Sequence, residues 1–453
     1  MPDICLYFQV HQPLWLRHYT VFDKSRQYFD EHRNASVCRK VANKCYLPAN
    51  RLILKLIRQF AGEFKVAYSL TGILLEQLQR YSPEVLSTFD ALAETGCVEF
   101  LAETYYHSLS FLYSPEEFIE QVNKHVETIE YLFGQKPRIF RNTELVYNND
   151  LAALVESTGS FDAIVSEGAN HILGTRSPDF IYRPQGCSKL KLLLKNYSLS
   201  DDIAFRFFDR TWSQWPLTAE KFAGWINNMN ATEGTPPGGN PNVANLFLDY
   251  ETLGEHLPVL SCESKKAGQE PGILRFMQQL PYEVLRRPNN TFRTPSEVIR
   301  SSLPIGTVDA PHLISWHAPA SPDARRGSGA DTERDLSAWL GNPMQSNAIY
   351  ELYRLEKQIK QTADEEIISD WRRLQASDHF YTMCTKFLSD PDVPKSFNPY
   401  DSPYDSYINF MNVLGHLHDR CSKRTQGGLP PRITRSGATG QFVTRPSCVV
   451  REA

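Results

Sequence analysis

Along roughly the first two thirds of the chain, short apolar runs alternate with longer stretches in which apolar residues recur at helical spacing. That alternation predicts an α/β fold. Candidate strands are Ile4–Val10, Lys65–Ser69, Val98–Ala102, Arg138–Asn142, Ala163–Ser166, Leu190–Leu194 and Val243–Leu248, with Leu313–Trp316 a weaker one. Between them lie helical patterns: one from Ile73 after Thr71-Gly72, and one over Glu84–Glu94 that Gly96 closes. A third opens at Ser114-Pro115-Glu116-Glu117, which reads as a capping box with proline at the first helical position, and runs to Phe133. Another lies near Asp150–Ser157.

Residues 233–242 are turn-rich, and residues 318–330 have the composition of a flexible loop. From Asp331 to about Cys421 strand signals fade and helical period takes over, as in Ala348–Ile359. Beyond Cys421 six Lys/Arg and one Glu stand among Gly, Pro, Ser and Thr, which reads as a disordered tail over 422–453. No internal repeat is evident.

Composition narrows the class. Apolar residues make up 41% and charged residues 22% of the 453, enough for a sizeable core. The formal net charge of −4 does not provide the broad positive field of a nucleic-acid or anionic-membrane binder. No apolar run approaches the ~20 residues of a membrane span, and the apolar start is too short for a signal peptide. Nine cysteines, scattered singly with no C-x-x-C, predict neither a disulfide framework nor a zinc knuckle and suit a reducing cytoplasm.

Four candidate strands run straight into polar groups. Ile4–Val10 leads to His11-Gln12-Pro13; Val98–Ala102 to Glu103, Tyr105, Tyr106 and His107; Ile139–Asn142 to Thr143-Glu144; and Leu246–Leu248 to Asp249-Tyr250-Glu251, then Gly254-Glu255-His256. In a parallel barrel such strand ends converge on one face. Gly-x-Ser-x-Gly, a Walker loop and a strand-anchored G-x-G-x-x-G are missing, so acyl, phosphoryl and dinucleotide chemistry lack their usual parts. The carboxylates Glu103, Glu144, Asp249, Glu251 and Glu255 remain, and two carboxyl groups across a glycosidic bond suffice to cleave it. Asp249 and Glu251, two apart, point the same way if strand geometry persists, and their proximity would raise the pKa of one. A metal reading would gather His11, His107 and His256 with acidic groups, yet neither H-x-x-E-H nor H-E-x-x-H is present. Trp15, Trp212, Trp215, Trp316 and Trp339 are candidate sugar platforms, though core packing suits each as well.

These segments together resemble the glycoside hydrolase family 57 α-amylases. Phe8-Gln-Val-His-Gln-Pro13 is similar to the family's first motif, Gly96–Leu109 to the second and Phe140-Arg-Asn-Thr-Glu-Leu145 to the third. Phe247–His256 is similar to the fourth, and Glu333-Arg-Asp-Leu-Ser-Ala-Trp-Leu-Gly-Asn342 to the fifth. The resemblance covers roughly residues 1–420 and implies an incomplete TIM-like (β/α)7 barrel over 1–330, followed by a helical domain over 331–421 that helps wall the cleft. It implies Glu144 as nucleophile and Asp249 as general acid/base of a retaining α-glucan hydrolase without cofactor or metal. His11, Glu103, His107, His256, Asp335 and Trp339 then line the sugar sites. Transglycosylation by a 4-α-glucanotransferase or branching enzyme uses the same intermediate and stays open, and a metal-dependent deacetylase or mannosidase and a glycan-binding protein without turnover are the rivals of other classes. The loop Ala318–Ala330 and the tail depart from the family pattern.

Overall fold

A computed structural model describes residues 2–229, 243–256, 272–287, 290–316, 334–386 and 398–426. The expected loop at 318–330 and most of the expected tail lie outside these residues. Among the described residues ten strands form: β1 Asp3–Val10, β2 Val66–Leu70, β3 Val98–Phe100, β4 Ile139–Arg141, β5 Ala163–Glu167, β6 Ile181–Pro184, β7 Lys191–Lys195, β8 Val243–Asp249, β9 Thr291–Phe292 and β10 Thr307–Val308. One sheet runs β3-β2-β1-β8 with β9 beside β1, and the other runs β10-β6-β7-β5-β4. A parallel bridge between Ala102 and Phe140 joins β3 to β4. The Asn196 N–H donates to the Asn245 carbonyl at 2.8 Å and joins β7 to β8. The ring β8-β1-β2-β3-β4-β5-β7 therefore closes as seven parallel strands, the (β/α)7 barrel. β6 runs antiparallel on the lower half of β7, with β10 outside it.

Period-two alternation explains the closure. Cys5 and Tyr7 of β1 point inward and pack with Ala67, Leu101, Ile139, Val165, Leu193 and Phe247. Ile4, Leu6, Phe8 and Val10 point outward, into a layer with Leu56, Leu74, Phe89 and Leu280 of the surrounding helices. The β7–β8 seam is held partly by a side chain. Asn245, fully buried, donates from Nδ2 to the Leu194 carbonyl at 3.0 Å and accepts the Tyr7 hydroxyl at 2.7 Å.

Three expectations need correction. Leu313–Trp316 is no strand: Ile314 makes one bridge to Tyr147, while the N–H groups of Ser315 and Trp316 go to the carbonyls of Arg334 and Glu144. The capping box at Ser114 is half formed. Ser114 Oγ accepts the Glu117 N–H at 3.2 Å, but Arg372 and Lys360 take the buried Glu117 carboxylate, at 2.8 and 2.9 Å. The last helix, Pro403–Gln426, runs past Cys421 and shortens the expected tail.

Helices Pro343–Arg354, Glu356–Gln361, Glu365–Arg373 and Pro403–Gln426 enclose a second core around Leu352, Trp371, Phe380 and Leu417. Leu16, Tyr19, Tyr28 and Phe29, from the excursion after β1, belong to it too, so the two units share chain at both ends of the sequence. Among the described residues no helix is long and apolar enough to cross a membrane.

Asn245→Ala leaves the Tyr7 hydroxyl and the Leu194 carbonyl without their buried partner. Urea unfolding should show a loss of about 2–3 kcal/mol; an unchanged midpoint would mean the seam does not rely on this amide.

Candidate active site

Every barrel strand delivers a polar group to the carboxyl-terminal mouth: Gln9, Ser69, Glu103 just beyond β3, Arg141, Glu167, Lys195 and Asp249. Arg141 is wholly buried, donating to Glu103 Oε2 at 3.1 Å and to Gln9 Oε1. Ser69 Oγ donates to the other Glu103 oxygen at 2.7 Å. Burial alone would raise the Glu103 carboxyl; Arg141 and His107 outweigh it and hold the group at about 2.

Above this layer stands Glu144. Glu144 and Leu145 take left-handed backbone angles, φ 56° and 50°, which side chains rarely adopt. Strain of this kind costs roughly 1–3 kcal/mol per residue and needs compensating contacts. Glu144 has them. Its Oε1 meets His107 Nε2 at 3.0 Å and accepts the Ser377 hydroxyl at 3.0 Å, and its Oε2 accepts the Trp316 indole N–H at 2.6 Å. Burial pushes the Glu144 carboxyl up, but His107 and Trp316 together bring it below its ordinary value. His107 responds in the opposite sense. Burial lowers it, yet Glu103, 3.6 Å from Nδ1, and Glu144 raise it to about 9, so the ring is an imidazolium near neutral pH. A protonated ring donates hydrogen bonds. Among the described residues no group of three His, Cys, Asp or Glu is arranged to hold a metal ion.

His11 stacks on His107 with ring centroids 4.0 Å apart. Its Nδ1 lies 2.9 Å from Thr71 Oγ1 and its Nε2 2.9 Å from Asp378 Oδ2. Burial and the charge of His107 lower the His11 pKa, whereas burial of Asp378 is outweighed by His11, which holds that carboxyl at about 2.

Asp249 titrates the other way. Burial, then the charge of Glu144, lifts it to about 7 despite Arg141, Lys195 and His107. Glu251 is lifted to about 8 by burial and by Asp249. Its Oε1 accepts the His11 N–H at 3.3 Å and the Tyr46 hydroxyl. Tyr46 ends the π-helical turn Ala42–Tyr46, which lies against Gly254; a Cβ there would stand 2.5 Å from the Lys44 carbonyl. Both members of the Asp249/Glu251 pair are raised, where the sequence argued for one.

Glu255 lies apart from the cleft carboxylates, paired with Lys40 at 2.5 Å and Lys44 at 3.2 Å. His256 is exposed beside it, its N–H on the Glu251 carbonyl. Asp335 accepts the Ser337 N–H at 2.9 Å at the start of the short helix Ser337–Leu340. Trp339 is packed in the helical core near Tyr381. Trp15 is buried and Trp212 packs edge-on to Trp225, while Trp316 serves Glu144. Sequence reasoning missed Ser377 and Asp378. Their signal was the polar run Gln375-Ala-Ser-Asp-His379 breaking a helical region.

The sequence profile of Glycosyl hydrolase family 57 matches residues 5–311. A relative from Methanocaldococcus jannaschii, named "Putative alpha-amylase", is 40% identical over 425 residues, covering 90% of this chain and 82% of its own. Among solved structures, the branching enzyme of Pyrococcus horikoshii superposes with a TM-score of 0.63 at 14% identity, over 95% of this chain and 92% of its own. The alpha-amylase AmyC of Thermotoga maritima gives 0.56 at 12%, over 95% and 94%. The 4-alpha-glucanotransferase of Thermococcus litoralis gives 0.60 at 15% over 83% of this chain, which spans 54% of that larger protein. At these identities the structures share the fold.

His107→Gln removes a cation whose folded pKa is raised to about 9. Its stabilisation is complete below the unfolded histidine value and is lost as pH rises through about 9. Urea unfolding should therefore find the variant weaker by on the order of 2 kcal/mol more at pH 6 than at pH 10; a gap that does not vary with pH would contradict the imidazolium.

Proposed function

The chain belongs to glycosyl hydrolase family 57 and is a glycoside hydrolase, and from that premise we propose that it cleaves α-1,4-glucosidic bonds of starch, glycogen or maltodextrin with retention of configuration. The observation that carries this reading is the hydrogen-bonded grip of His107, Trp316 and Ser377 on Glu144, which suits a carboxyl held below its ordinary value, while Asp249 in the same cleft is raised to about 7. One is an anion ready to attack, and the other still holds a proton to give.

Glu144 attacks the anomeric carbon as the bond to the leaving oxygen breaks, and Asp249 gives that oxygen its proton. The sugar is now an ester of Glu144, and Asp249 is an anion. Asp249 then takes a proton from water, the water oxygen bonds to the anomeric carbon, and Glu144 departs as a carboxylate. His107, Trp316 and Ser377 already donate to that carboxylate, so little reorganisation accompanies its release. The helical unit walls the cleft through Ser377 and Asp378. The amylase name of the 40% identical relative favours water over a sugar hydroxyl as acceptor. The seven described cysteines are all buried and free, which suits a reducing cytoplasm.

Glu144→Ala should lower kcat at least 10³-fold while retaining oligosaccharide binding, and azide should restore turnover with a glycosyl azide as product. Near-normal activity without azide would remove the mechanism. Chromatography of maltoheptaose products should show only shorter chains, whereas longer or branched ones would make the enzyme a transferase. In the unaltered enzyme kcat/KM should fall as pH rises through about 7, where Asp249 loses its proton. A flat profile from pH 6 to 9 would contradict its role as acid.

A further inference from the structure

Two of the donors on Glu144 depend on one backbone junction. His107 belongs to the loop after β3 and Ser377 to the helical unit. They meet where Ala376 bridges antiparallel to Ser108 and the Ser377 N–H donates to the His107 carbonyl at 2.8 Å. His107 itself takes φ 53°, a left-handed angle that persists only where surrounding contacts hold it.

One side chain spans this junction from behind. Gln121, 1% exposed on the helix Pro115–Phe133, accepts the Ser108 hydroxyl on Oε1 at 2.7 Å. Its Nε2 donates to Gln375 Oε1 at 2.8 Å and to Glu117 Oε1 at 3.0 Å. The Glu117 carboxylate only accepts, so it fixes which end of the amide is nitrogen, and both amide protons are used. Glu117 is held in turn by Arg372 of the helical unit through two bonds, at 2.8 and 3.0 Å. Ser108 follows His107, and Gln375 stands two before Ser377. A single neutral amide therefore ties the barrel side of the junction to the helical side, and it adds no charge beside the buried acids.

We propose that Gln121 is a positioning residue for the reaction: by tying Ser108 to Gln375 it sets His107 and Ser377 at hydrogen-bond distance from the attacking carboxylate of Glu144. It acts through Ser108 and Gln375, not on that carboxylate itself. This assignment rests on the reading of Glu144 as nucleophile.

Gln121→Met keeps the length of the side chain and removes its three hydrogen bonds. On maltoheptaose kcat should fall roughly 10-fold with KM within about twofold, because the attacking group is displaced while sugar binding is spared. Ser108→Ala deletes one hydroxyl and should lower kcat in the same sense by about 3-fold; it decides the matter if Gln121→Met does not fold. Full kcat in the folded variants, or a loss confined to KM, would overturn the proposal. Turnover that azide supports in Glu144→Ala does not use the lost carboxylate, so adding Gln121→Met there should cost less than about twofold. A 10-fold loss that persists with azide would mean that Gln121 acts elsewhere, overturning the assignment and leaving the proposed mechanism standing. Near-normal turnover by Glu144→Ala without azide would overturn both.

Discussion

The charge-assisted contact between the His107 imidazolium and the Glu144 carboxylate organises the mouth of this barrel. Neither ion would be stable alone at that depth, since an unpaired buried charge costs several kcal/mol. Each therefore sets the protonation of the other. The pair in turn stands on a second one beneath it, Arg141 with Glu103, the latter also facing His107 Nδ1. Five carboxyl groups crowd this space: Glu103, Glu144, Asp249, Glu251 and Asp378. Those held by Arg141, His107 or His11 stay ionised, and Asp249 and Glu251 keep their protons into the neutral range. The supply of cations and hydrogen-bond donors decides how many acids can be anions, and on the proposed mechanism that division provides one attacking group and one proton source.

The fold supplies the geometry for this division. Seven strands give an odd ring whose inward positions alternate with an outward apolar layer, so the last inward residue of each strand reaches the same face. The β7–β8 seam has little ladder of its own and is held by the Asn245 amide. The helical unit adds what the strands do not reach. Ser377 and Asp378 enter from above and tie His11, His107 and Glu144 together.

Much of this was legible in the sequence because strand period is local. All seven barrel strands read as apolar runs, and Glu103, Glu144 and Asp249 lie at or just beyond strand ends, where a closed barrel must gather them, with His107 in the loop after β3. The two-residue strands β9 and β10 are too short to show a period, and Ile181–Pro184 hides its period behind Arg183 and Pro184. The capping box at Ser114 misled because Glu117 is drawn away by Arg372, 255 residues distant, a contact that no local pattern encodes. The same holds for Asp378, 367 residues from His11. Trp316 looked like a sugar platform or a core residue, and only the fold shows its indole N–H turned onto Glu144.

The proposed mechanism requires Glu144 to act as an anion that bonds to the sugar while Asp249 acts as its acid. Retention is the direct signature, because attack from one face followed by water on the same path inverts the anomeric centre twice. Proton NMR of the first reducing ends released from maltoheptaose, recorded before mutarotation, should show the α anomer. Release of the β anomer would mean a single displacement by water and would contradict the role given to Glu144.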